Sequence, residues 1–354
     1  MTTTHLSTTA APAVDPDLAA MMDAVFADHQ RSGPSHSTGG RAALDRTLWN
    51  RLDSLGLSRL TGSEKSGGSG AGWHEAAVLL TAAARHGIRT PVGEHDLLAC
   101  WLLETLGRPV SGAIRTVQLP GRDGGHDAPV PWAAEVDRIV VVWWTGDEYR
   151  LADVESAALS LVQGANLVGE PRDTVRADLA ATEGEPLSEA LVRRLKRRAA
   201  LMRSIQVCAA LERAVELSIE HVSARVQFGR PLAKFQAIQN LISDAAAEAA
   251  LARAATEAAL DVAVATDWDS ANLDFLIATS RSCAGHAASV VTRNAHQVHG
   301  AIGTTREHRL HEFTRAALAW RAEYGSVRHW DEQIAAAATA AGPEGLWALI
   351  ADSR

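Results

Sequence analysis

Cysteine is nearly absent from the 354-residue chain. Cys100, Cys208 and Cys283 stand far apart and are odd in number. No disulfide framework and no paired CxxC metal site follows from them, and a reducing compartment, hence a cytoplasmic protein, is the simpler expectation. Aromatic residues make up only 5% of the chain, with five Phe and two Tyr. No uninterrupted apolar run reaches the ~18 residues of a membrane-spanning helix, so no membrane span is predicted. The chain also lacks a basic excess: its formal net charge is −8. Duplex nucleic acid is bound through Lys and Arg facing phosphates, so no nucleic-acid partner is expected. The Thr-, Ala- and Pro-rich start has no basic segment followed by an apolar one, which excludes a signal peptide; residues 1–15 read as a disordered arm.

What is present is alanine and leucine among many Arg and Glu, a composition that favours helix. Residues 16–107 carry helical periodicity (Leu44, Leu48, Leu52, Leu55, later Leu97, Leu98, Leu102) around one Gly-rich stretch, Ser66 to Gly72. Residues 108–185 change texture. Ile139-Val140-Val141-Val142-Trp143-Trp144 before Gly146-Asp147 reads as a buried strand entering a turn. Arg115 to Leu119, Tyr149 to Leu151 and Ala158 to Val162 are further short strands, with a loop over Gly121 to Pro131, giving a small β-domain. Residues 186–354 form a third region. Ser188 followed by Glu189 opens a long helix without Pro or Gly to Val226. A second follows over 235–265, a third over 273–299 and a fourth from Thr305 to Trp320, with a last segment through the 330s. Long helices with short connections predict an antiparallel bundle. The expected fold is mainly α with a small β-domain.

Two constellations carry possible chemistry. Arg225-Val226-Gln227-Phe228-Gly229-Arg230-Pro231-Leu232, then Phe235-Gln236, sits where one long helix ends and the next begins. An Arg and a Gln beside a Gly present a guanidinium and an amide to a phosphate, although a helix cap followed by a stop explains the same residues. Gln297-Val298-His299-Gly300-Ala301-Ile302-Gly303 is a glycine turn whose backbone N–H groups suit a diphosphate, or a plain connection between helices. His296/His299 and His308/His311 are spaced three apart, but no Cys or carboxylate cluster supports them and no metal is expected. The run Arg193 to Arg198 is expected to be a solvated helix face, with contact to the phosphates of a bound ligand as the alternative.

Together the two constellations are far more specific. "RVQFGRPLAKFQ" resembles the R-x-x-F-G-x-P-(I/L)-x-x-F-Q signature of the acyl-CoA dehydrogenases, and "QVHGAIGTTREHRL" resembles that family's Q-x-H-G-G-x-G segment. Gly67 to Trp73 with Glu75, Gly87 and Pro91-Val92 is similar to the family's N-terminal pattern, and Pro131 to Val140 to its "gAeaDhilV" strand. The chain looks most like the short paired subunits of actinobacterial sterol-degrading systems. The resemblance implies an N-terminal helical domain, a reduced middle β-domain and a C-terminal four-helix bundle. It implies FAD between β-domain and bundle, its ADP half reaching the neighbouring subunit of a homo- or hetero-oligomer (dimer or tetramer). Arg225, Gln227 and Phe228, with Gln297 and Gly300, would meet its diphosphate and adenosine, and Ser326 stands where the family's Thr contacts adenosine. The implied reaction is α,β-dehydrogenation of an acyl-CoA in fatty-acid or steroid degradation, with electrons passing to an electron-transfer flavoprotein or similar acceptor.

The chain departs from the pattern at the base. The family's Glu-Gly-Thr is replaced by Glu323-Tyr324-Gly325-Ser326, which puts Tyr324 in the base position and Glu323 one residue early. A tyrosine, with a reference pKa of about 10, is a poor base at neutral pH. The family's alternative base position on the first bundle helix falls here at Arg198-Ala199-Ala200, which offers no carboxylate. Glu323 is therefore the candidate catalytic base. The family stretches that meet the flavin ring have no clear match beyond Trp143-Trp144-Thr145. Two further readings follow: a non-catalytic, FAD-sharing partner subunit of a heteromeric enzyme, and a non-redox scaffold that binds an acyl-CoA or a protein. The alanines Ala245 to Ala247, Ala249 and Ala250 suggest room for a bulky acyl group, or equally close helix packing.

Overall fold

The computed structural model describes residues 14–32, 40–110, 112–120, 129–176 and 183–351. Most of the N-terminal arm and of the 121–131 loop lie outside them. Four helical segments come first: α1 (Pro16–Ser32), α2 (Arg46–Ser54), α3 (Trp73–Arg85) and α4 (Trp101–Thr105). Asp45 caps α2 by accepting the Leu48 N–H at 2.9 Å. The backbone enters α4 through a π-helical stretch, Glu94–Cys100, whose residues are all buried, including Glu94, His95 and Asp96. Wide turns of this kind recur at functional sites because they redirect side chains that a regular helix would bury elsewhere.

The middle of the chain builds β1 (Arg115–Gln118), β2 (Val130–Pro131), β3 (Arg138–Trp144), β4 (Tyr149–Glu155), β5 (Ser160–Val162), β6 (Arg172–Arg176) and β7 (Glu185–Leu187). One sheet runs β1-β3-β4-β7 and a second β2-β6-β5. β3 is buried from Ile139 to Trp143 because neighbours cover both of its faces, which is why its sequence is a continuous apolar run rather than an alternation. β1 lies parallel to it, with Arg115 opposite Arg138, and β4 returns antiparallel, with Trp144 opposite Tyr149.

The C-terminal part is α5 (Glu189–Ala224), α6 (Gln236–Ala265), α7 (Leu273–His299), α8 (Leu310–Trp320) and α9 (Val327–Ala351). Ser188 caps α5 through the Leu191 N–H. Residues 198–211 of α5 are buried on every side, as expected of a central helix with apolar residues all round. A two-strand hairpin, β8 (Val226–Gln227) and β9 (Arg230–Pro231), follows α5. Phe228 and Gly229 at its tip both have positive φ, 51° and 78°, the geometry of a tight hairpin turn. Ala245, Ala249, Ala252, Ala259 and Ala263 of α6 are buried. Ala245, Ala249 and Ala252 share one cluster with Ala284, Ala287, Ala288, Val291 and Ala295 of α7. Close helix packing is thus the role of Ala245 and Ala249, whereas Ala247 and Ala250 are exposed. The fourth long helix also starts later than expected. Residues 305–309 are non-helical, and His308 Nδ1 accepts the Leu310 N–H at 3.1 Å, supplying a partner for an otherwise orphaned first-turn amide of α8.

α9 is apolar enough by composition to cross a bilayer, with mean hydropathy 1.3 over its 18-residue window and no residue buried in the chain. Its helical geometry breaks at Gly342 (φ 65°, ψ 178°) before Pro343, so neither half supplies the ~20 continuous residues a span needs.

Candidate active site at the α8–α9 turn

A cavity of about 790 Å³ opens between the β-domain and the bundle, lined by Val117 and Leu119, by Asn166 and Arg172, and by Glu323 to Ser326 with Trp330. That is the size of a cofactor or ligand site. The α8–α9 turn forms one wall because α8 stops at Trp320 and the chain reverses through two positive-φ residues, Tyr324 (58°) and Gly325 (133°). A left-handed tyrosine is strained and persists only where its surroundings fix it. Here Arg281 of α7 donates to the carbonyls of Trp320, Arg321 and Glu323 at 3.3, 3.0 and 2.8 Å. Trp320 Nε1 donates to Glu170 Oε2 at 2.8 Å, and the Arg89 guanidinium lies 5.2 Å over the Trp320 ring.

Glu323 reaches this cavity, and two arginines hold it. Arg172 of β6 donates Nε to Oε1 at 2.7 Å and Nη2 to Oε2 at 3.0 Å. Arg203 of α5 donates Nε to Oε2 at 2.7 Å, and Asn166 Nδ2 donates to Oε1 at 3.2 Å. Burial alone pushes the carboxyl pKa up, but the Arg172 and Arg203 charges outweigh it and hold the group at about 2. Each arginine has a second carboxylate: Glu170 on Arg172 at 2.9 Å and Glu94, from the π-helical stretch, on Arg203. The Tyr324 ring lies 5.4 Å from the Arg203 guanidinium. Its buried Oη has no hydrogen-bond partner among the described residues, and burial raises its pKa above the ordinary tyrosine value, foremost by desolvation. At neutral pH this turn therefore holds one strongly stabilised carboxylate and one neutral phenol.

Ser326, exposed at the cavity, accepts the His329 N–H at 3.2 Å and caps α9. Trp330 also lines the cavity, whereas Trp320 is buried core. Trp143, Trp144 and Thr145 lie away from it: Trp143 is buried, Trp144 packs on Tyr149 at 4.7 Å, and the Thr145 hydroxyl donates to Glu148 O. Most of the basic run ties helices together. Arg194 pairs with Asp267 and Arg197 with Asp274, and Arg198 is buried 4.0 Å from Trp101, its Nε on Leu97 O. Lys196 alone of the run lines the cavity.

The remaining sequence candidates gather elsewhere. Arg225, Gln227 and Phe228 are exposed on the hairpin, Phe228 at 89%, and Gln297 and Gly300 are exposed at the end of α7. The ends of α5 and α7 meet, since His221 and His299 stack with ring centroids 4.5 Å apart. The two motifs thus share one end of the bundle. His221 lies eighteen residues beyond Arg203 on α5, about 27 Å along the axis at 1.5 Å per residue. Sequence reasoning missed Arg172, Arg203, Glu94 and Asn166. A lone Arg203 within the apolar Ala199 to Ala210 stretch was the available signal, because a buried arginine requires a carboxylate.

These residues fit FAD in two respects. The cavity wall carries the unpartnered Tyr324 hydroxyl, and the hairpin offers an exposed guanidinium, an amide and an aromatic face of the kind that bind diphosphate and a purine ring.

Comparison with known proteins agrees. The family model "Acyl-CoA dehydrogenase, C-terminal domain" matches residues 193–338. Acyl-CoA dehydrogenase IpdE2 of Mycobacterium tuberculosis is 28% identical over 299 residues, covering 81% of this chain and 86% of that protein. Among solved structures, the ChsE4-ChsE5 complex from M. tuberculosis superposes with a TM-score of 0.78 at 23% identity, covering 92% of this chain and 97% of that one. The Tcur3481-Tcur3483 steroid ACAD G363A variant superposes with a TM-score of 0.78 at 19% identity, covering 92% and 98%. From motifs, fold and relatives together, the chain is similar to the acyl-CoA dehydrogenases: it shares their fold, and its residues 193–338 match that family's C-terminal domain.

Proposed function

We propose that the chain is a cytoplasmic subunit of an oligomeric, FAD-dependent enzyme that dehydrogenates an acyl-CoA thioester at its α,β-bond and passes the electrons to a flavoprotein acceptor. The observation that carries this reading is the cavity between β-domain and bundle, with a carboxylate at its wall and the exposed hairpin at a separate end. The ~27 Å along α5 supports a division of labour: one subunit's cavity takes the ring half of a flavin, and the hairpin residues Arg225 and Gln227 with Gln297 and Gly300 meet the ADP half of a neighbour's. When bound, FAD supplies the hydride acceptor. The chain's residues then bind and orient the thioester and exclude water. Glu323 accepts the α-proton only after leaving Arg172 and Arg203, because a carboxylate with a pKa of about 2 drives proton abstraction weakly.

That clamp favours a second reading, in which Glu323 is structural and a different dehydrogenase chain supplies the base, as heteromeric relatives such as the ChsE4-ChsE5 complex suggest. A steroid-bearing acyl group belongs among the candidate substrates on the likeness to the steroid ACAD structure. The test is to purify the chain alone and co-expressed with a second dehydrogenase subunit, measure flavin per chain, and add acyl-CoA thioesters anaerobically. Bleaching of the flavin by the chain alone, lost in Glu323→Gln, supports the first reading. Bleaching only in the two-chain complex, retained in Glu323→Gln, supports the second. No flavin in either preparation overturns both.

A further inference from the structure

The sequence places His221, His299 and His308 in three separate segments, and their side chains meet. His221 lies in the last turn of α5, His299 ends α7, and His308 lies just before α8. One ring nitrogen from each falls within 4.8 Å of the other two, and the ring centroids are 4.5, 4.5 and 6.1 Å apart. We infer that these three histidines form a binding site for a single borderline divalent metal ion of the Zn²⁺ class, tying together the ends of α5 and α7 and the start of α8.

The decisive member is His299. It is 95% buried, and its Nδ1 lies 2.7 Å from the Ala295 carbonyl, which can only accept, so Nδ1 carries the proton. Nε2 therefore holds a lone pair, and that buried atom has no hydrogen-bond partner among the described residues. An imidazole whose Nδ1–H is anchored on a backbone carbonyl while Nε2 is bare is the arrangement that metal-bound histidines adopt. The other two rings are half-buried and leave a solvent-side position for a water ligand. Three imidazoles and no thiolate suit Zn²⁺, Co²⁺, Ni²⁺ or Cu²⁺ rather than Mg²⁺ or Ca²⁺.

Two adjustments accompany binding. Nitrogens on one tetrahedral ion at ~2.05 Å stand roughly 3.3 Å apart, so the rings close inward. His308 Nδ1 now accepts the Leu310 N–H at 3.1 Å and gives that bond up if Nε2 is to ligate. His221 and His308 both sit near an element end, where such movement is least restrained.

The site differs from the candidate pairs visible in the sequence, His296/His299 and His308/His311: the ligand set takes one residue from each pair and adds His221. It also differs from the flavin contacts, although Arg225 and Gly300 adjoin it in sequence. A metal there would fix the hairpin that carries Arg225 and Gln227.

The test uses the untagged full-length chain, stripped with a chelator and dialysed against Zn²⁺ or Co²⁺. Metal content is measured by atomic emission and the Co²⁺ geometry by its visible absorption. His221→Gln and His308→Gln are compared with His311→Gln, and circular dichroism checks folding. The expected result is one metal per chain, retained in the His311 variant and weakened about tenfold or more in each of the other two. Less than about 0.1 metal per chain at micromolar free Zn²⁺, where a built site of this kind is filled, overturns the proposal, as does uptake by His221→Gln and His308→Gln as tight as that of the wild type. The readout needs no flavin, so failure of the dehydrogenase reading leaves it standing.

Discussion

Replacing Glu323 by Gln is the most informative single perturbation. The carboxylate accepts bonds of 2.7 and 3.0 Å from Arg172, 2.7 Å from Arg203 and 3.2 Å from Asn166. A glutamine keeps one acceptor and turns an NH₂ toward a guanidinium. Removing one partner of a buried ion pair costs about 3–5 kcal/mol. Glu170 and Glu94 still neutralise the two arginines, so the lower end applies, about 3 kcal/mol. For a chain of this length that is a fall in Tm of roughly 3–6 °C. A carboxylate placed only for catalysis gives the opposite sign, since functional groups are commonly held at some expense of stability. The pH dependence provides a second readout. The folded pKa of about 2 lies below the ordinary 4.5, so the contribution is fully present above pH 4.5 and is lost as pH falls toward 2. The Tm difference between wild type and Glu323→Gln therefore narrows on acidification through that window. Denaturant and thermal unfolding measure it directly. A variant with unchanged Tm and abolished flavin reduction would refute the clamp and establish Glu323 as a free base.

Three other substitutions test the surroundings. Burial raises the Asp96 carboxyl from 3.8 to about 7, against the Thr61 bond and the Arg198 and Arg59 charges, and its Oδ1 has no partner among the described residues. Its ionisation therefore weakens the fold as pH rises from about 4 to 7, and Asp96→Asn gains roughly 1–3 kcal/mol at pH 8, shrinking toward pH 4; an equal Tm gain at both pH values would contradict this. A Cβ on Gly285 of α7 would stand 2.5 Å from Val327 Cγ2, so Gly285→Ala pushes α9 outward at a cost of about 1–3 kcal/mol, visible as a lower denaturant midpoint and a changed Trp330 near-ultraviolet signal. Tyr324→Phe removes a buried hydroxyl without a partner and leaves the flavin-free Tm unchanged or higher. If that hydroxyl meets flavin or thioester, the same variant weakens their binding about fivefold, measured by fluorescence titration.

Element type was legible wherever the signal was local. α7 runs from Leu273 to His299 between two breakers, with no Pro inside and Gly285 tolerated, and Ser188 caps α5 as its hydroxyl and Glu189 suggested. The β3 strand followed from its unbroken apolar run. Errors arose where tertiary contacts override local preference. Nothing in Thr305 to Arg309 forbids helix, yet the imidazole of His308 caps Leu310 and delays α8. The alanines of α6 were ambiguous because a small side chain serves a void and a close contact equally, and only the facing alanines of α7 decide between them. The π-helical stretch had no sequence mark, although it delivers Glu94 to Arg203.

The placement of Glu323 shows why the site itself was the least legible part. Its position in the sequence is one residue from that of a catalytic base, and the motif supplies no information about what the side chain will meet. Its partners come from β6 and α5, 151 and 120 residues away. Each of those arginines is in turn held by a carboxylate, one of them from the π-helical stretch, so the turn, the sheet, the central helix and the N-terminal domain share one set of charges. A buried network of this kind is stable only when every member is paired. Moving Glu323 toward a substrate therefore takes two bonds from Arg172 and one from Arg203 at once, leaving each with its second carboxylate alone, unless an incoming group takes its place. The thioester carbonyl is a neutral acceptor and compensates such a pair poorly. An anionic group on the acyl chain compensates it well. Any acyl-CoA that uses Glu323 of this chain as base is thus expected to carry a negative charge within reach of Arg172 and Arg203. An acyl-CoA without one requires its base from another subunit. Comparing flavin reduction by a carboxylated acyl-CoA and by its methyl ester in the same complex separates the two cases: ester and acid reacting alike in wild type and in Glu323→Gln would locate the base outside this chain.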